Sequence, residues 1–397
     1  MTRFIMRNEH FGATLYDKRR LRHKFLTKKD LKKQIFMLGV PVNNVEKWKL
    51  DLSKSPTNII YSPIRVYFDL TTMCNLRCKN CFNNSGKAGP NEMSTDEVKD
   101  SLQGMRNDSI FDIRFTGGEV TSRNDWFDIV KYAKELGSAV SLNTNGVYSN
   151  PRTIDELASL DLEQITISLD GDRKFHNYIR GEGTFDKAVE TLKKLHELGA
   201  HLRINTVLTK GSANDLEAIL RIAEEFAEEI NFFYMRTTGR ALDILDLVLS
   251  YEELFKFSER VEKIKSRYQH VNILHGSQVM SMNSIQRVTS DKLGIQMGGP
   301  DGFTRFNLLA DGSIWPGGYT PYLEFKYNLG NIKEEGYTML RIWRHSPLLK
   351  EFREKSLKLQ ERCMVCEEKD VRCPGASMEM ELYREKNPDK KNPYCLF

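Results

Sequence analysis

No apolar run in the sequence approaches the ~20 residues that a membrane-spanning helix needs, which excludes an integral membrane protein of the helical type. The opening, MTRFIMRNEHFG, lacks the apolar core and small-residue cleavage site of a secretory signal, so the expected location is the cytosol. Cysteine is scarce: there are seven in 397 residues, and none among positions 82–362. A reducing compartment keeps thiols free, so the two clusters that remain read as metal ligands in preference to disulfides. An excess of one charge is also missing, with 59 Lys and Arg against 54 Asp and Glu. The imbalance is local, since residues 1–54 carry 14 basic against 5 acidic side chains and the rest is slightly acidic. The segment Lys18–Lys24, KRRLRHK, suits phosphates or an acidic peptide as well as it suits a solvated face.

At ~150 residues per domain, the length suggests two or three domains. From Ile64 onward short alternating strands recur between amphipathic helical stretches: IRVYFDL, SIFDIRF, SAVSLNTN, EQITISLD, HLRINTVL and INFFYMR. Between them, STDEVKDSLQGM opens with Ser94 and Glu97 at capping-box spacing, and GTFDKAVETLKKLHELGA closes at Gly199. Six βα units in succession predict a parallel sheet. Fully buried parallel strands read as continuous apolar runs, yet here Ile64, Val66, Phe68 and Leu70 alternate with Arg65, Tyr67 and Asp69. The polar face therefore has to line an interior, and the fold class is α/β, a partial (β/α)6 TIM-like barrel around a polar cavity. From about Ser290 the chain becomes rich in glycine and turns. The expected division is a basic N-terminal segment at 1–62, the barrel at 63–270 and a smaller C-terminal domain at 271–397.

Directly after the first barrel strand comes Cys74-x3-Cys78-x2-Cys81. Barrel active sites gather at the C-terminal ends of strands, and three thiolates fill three irons of a cubane while leaving the fourth open, whereas structural zinc closes with four ligands. This run resembles the signature of the radical S-adenosylmethionine (SAM) superfamily. The resemblance implies that SAM chelates the open iron of a 4Fe-4S cluster and that its reductive cleavage gives a 5′-deoxyadenosyl radical. It extends to Thr116-Gly117-Gly118-Glu119, similar to the motif whose backbone and glutamate hold the SAM amino group. It also includes Asn143 and Asn145 in LNTNG, Ser168 and Asp170 in ISLDG, and Arg180, which match positions contacting the SAM ribose or carboxylate. Asn80 departs from the aromatic residue that many members place near the adenine.

The tail reads Cys363-x2-Cys366-x6-Cys373, then Cys395. Its spacing leaves zinc and an iron–sulfur cluster both open. The landmarks LADGSIWP at 309–316, LGNI at 329–332 and Ile342-Trp343 resemble, in order, those of the SPASM domain, an extension that carries auxiliary four-iron clusters. A full SPASM domain binds two such clusters. Glycines at 298, 299 and 317 and Ser377 stand where ligands of the inner one would be, so the resemblance implies one auxiliary 4Fe-4S cluster held by Cys363, Cys366, Cys373 and Cys395.

Three plus four cysteines use all seven, which disfavours an epimerase that needs a spare thiol; Tyr67 or Tyr234 could donate a hydrogen instead. What the resemblance implies is hydrogen abstraction from a peptide or protein substrate during maturation or crosslinking, with chemistry on a small metabolite (carbohydrate, tetrapyrrole or amino-acid derived) as the alternative. The stretch Arg7–Asp17 resembles the opening hairpin of peptide-recognition domains. A flavodoxin or ferredoxin is the expected reductant, and neither a membrane nor a nucleic acid is an expected partner.

Overall fold

The computed structural model describes residues 2–29, 31–41, 44–53, 55–275, 293–365 and 377–386. Cys366, Cys373 and Cys395 lie outside the described residues.

The N-terminal residues build a small four-stranded sheet. Strands β1 (Phe4–Glu9), β2 (Gly12–Asp17) and β3 (Arg22–Thr27) pair antiparallel, and β4 (Val45–Trp48) returns alongside β1 in parallel, giving the order β3-β2-β1-β4. Period-two alternation gives this sheet two apolar faces. Phe4, Leu15 and Leu26 pack on Ile35 of the helix Leu31–Met37, while Ile5, Tyr16, Phe25 and Trp48 join the main core. Residues 1–62 are thus more than a basic arm: they form a module docked through one face. Phe111 is stacked on both Tyr16 and Trp48, with centroids 5.5 and 5.2 Å away.

Arg7 fixes the docking. It is fully buried, donates from Nε to Glu9 Oε1 at 2.7 Å, and spends its two Nη groups on Ser62 Oγ and the carbonyls of Ser62, Pro63 and Ser109. A buried guanidinium is tolerable when its charge is paired and its donors are engaged.

Strands β5 (Arg65–Thr71), β6 (Asp112–Gly117), β7 (Ala139–Thr144), β8 (Gln164–Ser168), β9 (Leu202–Leu208) and β10 (Glu229–Tyr234) are parallel neighbours in sequence order. Helices pack outside them, including Thr95–Asn107, which Ser94 and Glu97 cap reciprocally, and Thr184–Glu197, which ends before Gly199 at φ +78°. The alternation does what the sequence pattern requires. Val66, Phe68 and Leu70 are completely buried, while Arg65, Tyr67 and Asp69 face an interior that solvent partly reaches; β9 repeats this pattern.

Two further strands lengthen the sheet at its ends. β11 (Asn272–Leu274) runs parallel to β10, so the barrel continues past the expected boundary at 270. β12 (Arg305–Leu308), from the C-terminal region, lies parallel to β5 with Arg305 opposite Arg65 and Asn307 opposite Tyr67. β12 turns through Asp311-Gly312 into β13 (Ile314–Trp315). Gly312 has φ +88°, and a Cβ there would meet Asn331 Oδ1 at 2.5 Å. The DG and GN landmarks therefore lie together because one turn packs on the other. Trp343 anchors the domain, donating from Nε1 to Ile60 O at 2.9 Å, edge-on to Phe306 and beneath Arg353.

No helix among the described residues is long and apolar enough to cross a membrane. Replacing Arg7 by Ala strands the Glu9 carboxylate at 2 % exposure. The expected loss is about 3–5 kcal/mol, read as a lower urea midpoint, with Arg7→Lys recovering part of it.

Candidate active site

The three cysteines of the first cluster lie on the loop that leaves β5, at the C-terminal mouth of the barrel. The loop is laced to the scaffold by its backbone. Cys74 N donates to Gly86 O at 3.0 Å and Gly86 N to Thr72 O at 2.8 Å, while Lys79 N reaches Ile179 O at 2.8 Å. Glu92 gathers the start of the loop, accepting from Thr71 Oγ1, Thr72 N, Thr72 Oγ1 and Gly89 N at 2.7–2.9 Å. Burial works to raise this carboxyl, but the four donors outweigh it and hold the group below its ordinary range. Arg240 clamps the far end, with Nε on Cys78 O at 2.8 Å and its backbone N–H on Cys81 O at 3.0 Å. Gly239, at φ +57°, makes that approach possible, since a Cβ there would lie 2.6 Å from Cys81 O.

The GGE segment crosses beneath the loop. Gly118 N donates to Thr71 O at 2.7 Å and Glu119 N to Met73 O at 2.8 Å. A Cβ on Gly118 would stand 2.1 Å from Met73 O, and Gly117 has φ +124°, so glycine is required at both positions by close approach and by conformation. Glu119 reaches the end of β7. It is fully buried, and its oxygens accept from Thr121 N, Thr121 Oγ1, Thr144 Oγ1 and Asn145 N at 2.7–3.2 Å. In this arrangement its carboxylate braces the end of β7, and what the motif leaves for a ligand is backbone carbonyl.

Asn145 and Asp170 extend the site around the mouth. Asn145 Nδ2 donates to Asn75 Oδ1 at 2.8 Å and lies 4.0 Å from Cys74 Sγ. Asp170 is 1 % exposed and accepts from Arg180 Nε at 2.7 Å, Asn80 Nδ2 at 2.9 Å and Val207 N at 2.9 Å. Arg180, so oriented, brings Nη1 to 4.0 Å from Cys78 Sγ. Despite burial, which works to raise it, the Arg180 guanidinium and these donors keep the Asp170 carboxyl below its usual range. Asn143 and Ser168 are half-buried on the inner face of the sheet. Asn80 is therefore an Asp170 partner, while Asn75, Glu92 and Arg240 are site residues that sequence reasoning missed. Their only signal is pairing across distances such as the 162 positions between Cys78 and Arg240.

The site fits an iron–sulfur group better than bare thiols. Burial pushes the Cys74 thiol up to about 11 and also raises Cys78, so the thiolate forms need a bound cation. Among the described residues, no three His, Cys, Asp or Glu side chains converge closely enough for a single metal ion. The loop is roofed by the C-terminal domain: Phe82 meets the edges of Tyr319 and Tyr322, with Arg236 4.9 Å over its ring and paired to Glu379 at 3.4 Å.

Gly118→Ala is expected to force the Met73 carbonyl away and displace the cysteine loop. After anaerobic reconstitution it should bind less than half the wild-type iron and acid-labile sulfide of the first cluster, measured in a background where Cys363 is replaced by Ala.

Two segments match known families: residues 69–223 match the radical SAM superfamily, and residues 300–367 match SPASM, an iron–sulfur cluster-binding domain. Over 345 residues the chain is 28% identical to the mycofactocin maturase MftC of Mycolicibacterium smegmatis, covering 84% of this chain and 83% of that one. Over 354 residues it is 26% identical to the AdoMet-dependent heme synthase of Methanosarcina barkeri, covering 85% and 97%. Among solved structures, Streptococcus suis SuiB bound to the precursor peptide SuiA superposes with a TM-score of 0.75 at 18% identity, covering 99% of this chain and 97% of that one. The cysteine loop, the glycine-lined strand end beneath it and the C-terminal landmarks agree with these matches, and the chain is a radical SAM enzyme with a SPASM domain.

Proposed function

We propose that the chain acts on a peptide, using Cys74, Cys78 and Cys81 to hold the SAM-binding cluster and the N-terminal sheet to hold part of the substrate. The observation that carries the peptide reading is the outer edge of β3, which has no strand beside it among the described residues. An extended peptide can add to such an edge through main-chain hydrogen bonds, with side chains read by the adjoining groove. That groove holds about 960 Å³ across the face of β1, β2 and β3 beneath the segment after the first helix, lined by Arg3, Leu15, Arg22, Lys24 and Leu38 with one acidic residue, Asp17, which Arg3 pairs. Basic and apolar lining together suit an amphipathic acidic segment. The similarity to a maturase and the full-length likeness in fold to SuiB support this reading. The heme synthase relatives support the alternative, a small metabolite as substrate.

When bound, the cluster and SAM supply a 5′-deoxyadenosyl radical that takes a hydrogen atom from the substrate. The protein's own part is placement and exclusion. The backbone of Gly117, Gly118 and Glu119 offers carbonyl oxygens as acceptors for the SAM amino group, while Asn143, Asn145, Ser168 and Arg180, set by Asp170, line the region of its carboxylate and ribose. Phe82, Tyr319 and Tyr322 shield the loop from bulk water on the side of the C-terminal domain.

In that domain, Cys363, Cys366, Cys373 and Cys395 would hold one auxiliary cluster with complete thiolate ligation, suited to relaying electrons and without an open iron for substrate. Among the described residues, the positions that would hold a second cluster carry no thiol. A Cβ on Gly317 would meet the Asp301 carboxylate at 2.5 Å, and one on Gly298 would meet Ser356 Oγ at 2.6 Å. Ser377 Oγ is engaged by Met380 N. A cytosolic flavodoxin or ferredoxin fits as the source of the electron.

The test is anaerobic production of 5′-deoxyadenosine with SAM and reductant, with host extract divided into peptides and small metabolites. Stimulation by peptides alone is the expected result; stimulation by metabolites alone would transfer the reading to the alternative. Cys74→Ala should abolish SAM cleavage, and Cys366→Ala should keep substrate-independent cleavage while losing coupled turnover. Reversing charge at Arg22 and Lys24 together should raise the half-stimulating peptide concentration roughly fivefold or more.

A further inference from the structure

Below the mouth of the barrel, one aromatic ring is surrounded by cations. The guanidinium carbons of Arg305, Arg114 and Arg65 lie 5.4, 5.7 and 6.0 Å from the centroid of Tyr67. They come from three adjacent strands, β12, β5 and β6, and Arg203 approaches from β9. The acidic groups do not use up this set, although Glu379, paired to Arg236, also faces Arg305. Asp112 serves both Arg65 and Arg114 through their Nε atoms, Asp301 takes only Nε of Arg305, and Glu229 is 3.5 Å from Arg203. Arg203 otherwise donates to Asn205 and Gln164.

That leaves the Nη groups of Arg114 and Arg305 without a hydrogen-bond partner among the described residues. Their side chains are only 9% and 22% exposed. The Tyr67 hydroxyl makes no hydrogen bond among the described residues either, and these arginines draw its ionisation down to about 7 although burial alone would raise it. Two forked donors with open ends and a phenol, gathered on the inner face of the same sheet that carries the radical site, are the elements of an oxyanion receptor.

We propose that Arg114, Arg305 and Tyr67 form a carboxylate-binding subsite that anchors an acidic group of the substrate in the interior of the barrel. The Nε–carboxylate pairs with Asp112 and Asp301 fix the guanidinium planes and leave the Nη edges for the incoming oxygens. The subsite is deeper than the SAM-binding residues: Tyr67 and Arg114 face each other in register, whereas the mouth is formed by Thr71 and Gly117 further along the same strands and by Asn145 just past β7. An acid held there points the rest of the substrate outward, toward the mouth. For a peptide the anchor is either a terminal α-carboxylate or an Asp or Glu side chain, and that choice of source rests on the peptide reading above. The subsite itself does not.

Reconstituted holoenzyme with SAM is titrated with N-acetylglycine, which offers an α-carboxylate, with the α-amide of N-acetylglutamate, which offers a side-chain carboxylate, and with the uncharged N-acetylglycine amide. The readout is the ultraviolet difference band of ionised tyrosine, assigned to Tyr67 by its loss in Tyr67→Phe. A carboxylate arriving among the guanidiniums raises the phenol's pKa, so the band should fall with saturation for one or both acids and stay unchanged for the amide. Arg305→Gln should weaken that binding at least tenfold, and Arg305→Lys less. Arg114→Gln should behave like Arg305→Gln, which carries the test alone if the first variant fails to fold. Equal response to acid and amide, or unchanged binding in Arg305→Gln, overturns the subsite. Such a failure with peptides still stimulating SAM cleavage would remove the anchor and keep the peptide reading. Acid binding in an enzyme that only metabolites stimulate would keep the anchor and assign it to a small organic acid.

Discussion

A single buried carboxylate, Asp112, joins the parts of this molecule that have to stay in register. It accepts from Tyr16 Oη of the N-terminal sheet at 2.6 Å, from Arg65 of β5 and from Arg114 of β6 at 3.2 Å. Full burial works against its charge, and two guanidiniums with a phenol more than offset this, holding it in the ionised form. Arginines that line a polar interior need such a counter-charge, and here it is placed at the bottom of the barrel, where the docking module closes it. The polarity of the inside and the attachment of the module are therefore one electrostatic arrangement.

The upper end of the barrel obeys a different constraint, which is steric. The cysteine loop passes so near the end of β6 that side chains are excluded at Gly117 and Gly118, and Gly239, in the segment after β10, meets the loop in the same way. Backbone-to-backbone contact of this kind leaves little freedom for the thiols to wander. Rigid glycine contacts at the mouth and long charged side chains below divide the interior into a part shaped for a constant cofactor and a part that can vary with substrate.

Much of this was legible in the sequence because it is local. The alternation of Arg65, Tyr67 and Asp69 with Val66, Phe68 and Leu70 gave the inward face, the pair Ser94 and Glu97 gave a helix start, and the Asp311-Gly312 turn marked the C-terminal domain. The N-terminal sheet was hidden by its own charge. Its alternation, with Phe4 and Ile5 or Leu15 and Tyr16 serving opposite faces, has no polar face to make the period visible, so only the hairpin at Arg7–Asp17 is legible, and that through its resemblance. Also illegible were pairings across long separations. Nothing near Arg305 shows that it will lie beside Arg65, and nothing near Glu119 shows that Thr144 and Asn145 will occupy its carboxylate.

The two-faced N-terminal sheet has a consequence for what the enzyme can accept. Because one face is cemented to Phe111 and Arg7 is sealed beneath it, the β3 edge is held at a constant separation from the cysteine loop. A peptide bound at that edge meets the barrel with a set amount of slack, so the number of residues between its docking segment and the reacting residue has a lower bound imposed by the protein. Shorter spacers cannot span the gap, and longer ones lose effective concentration only slowly. For a peptide docked as proposed, the attachment of the N-terminal sheet makes spacer length a property the protein can select.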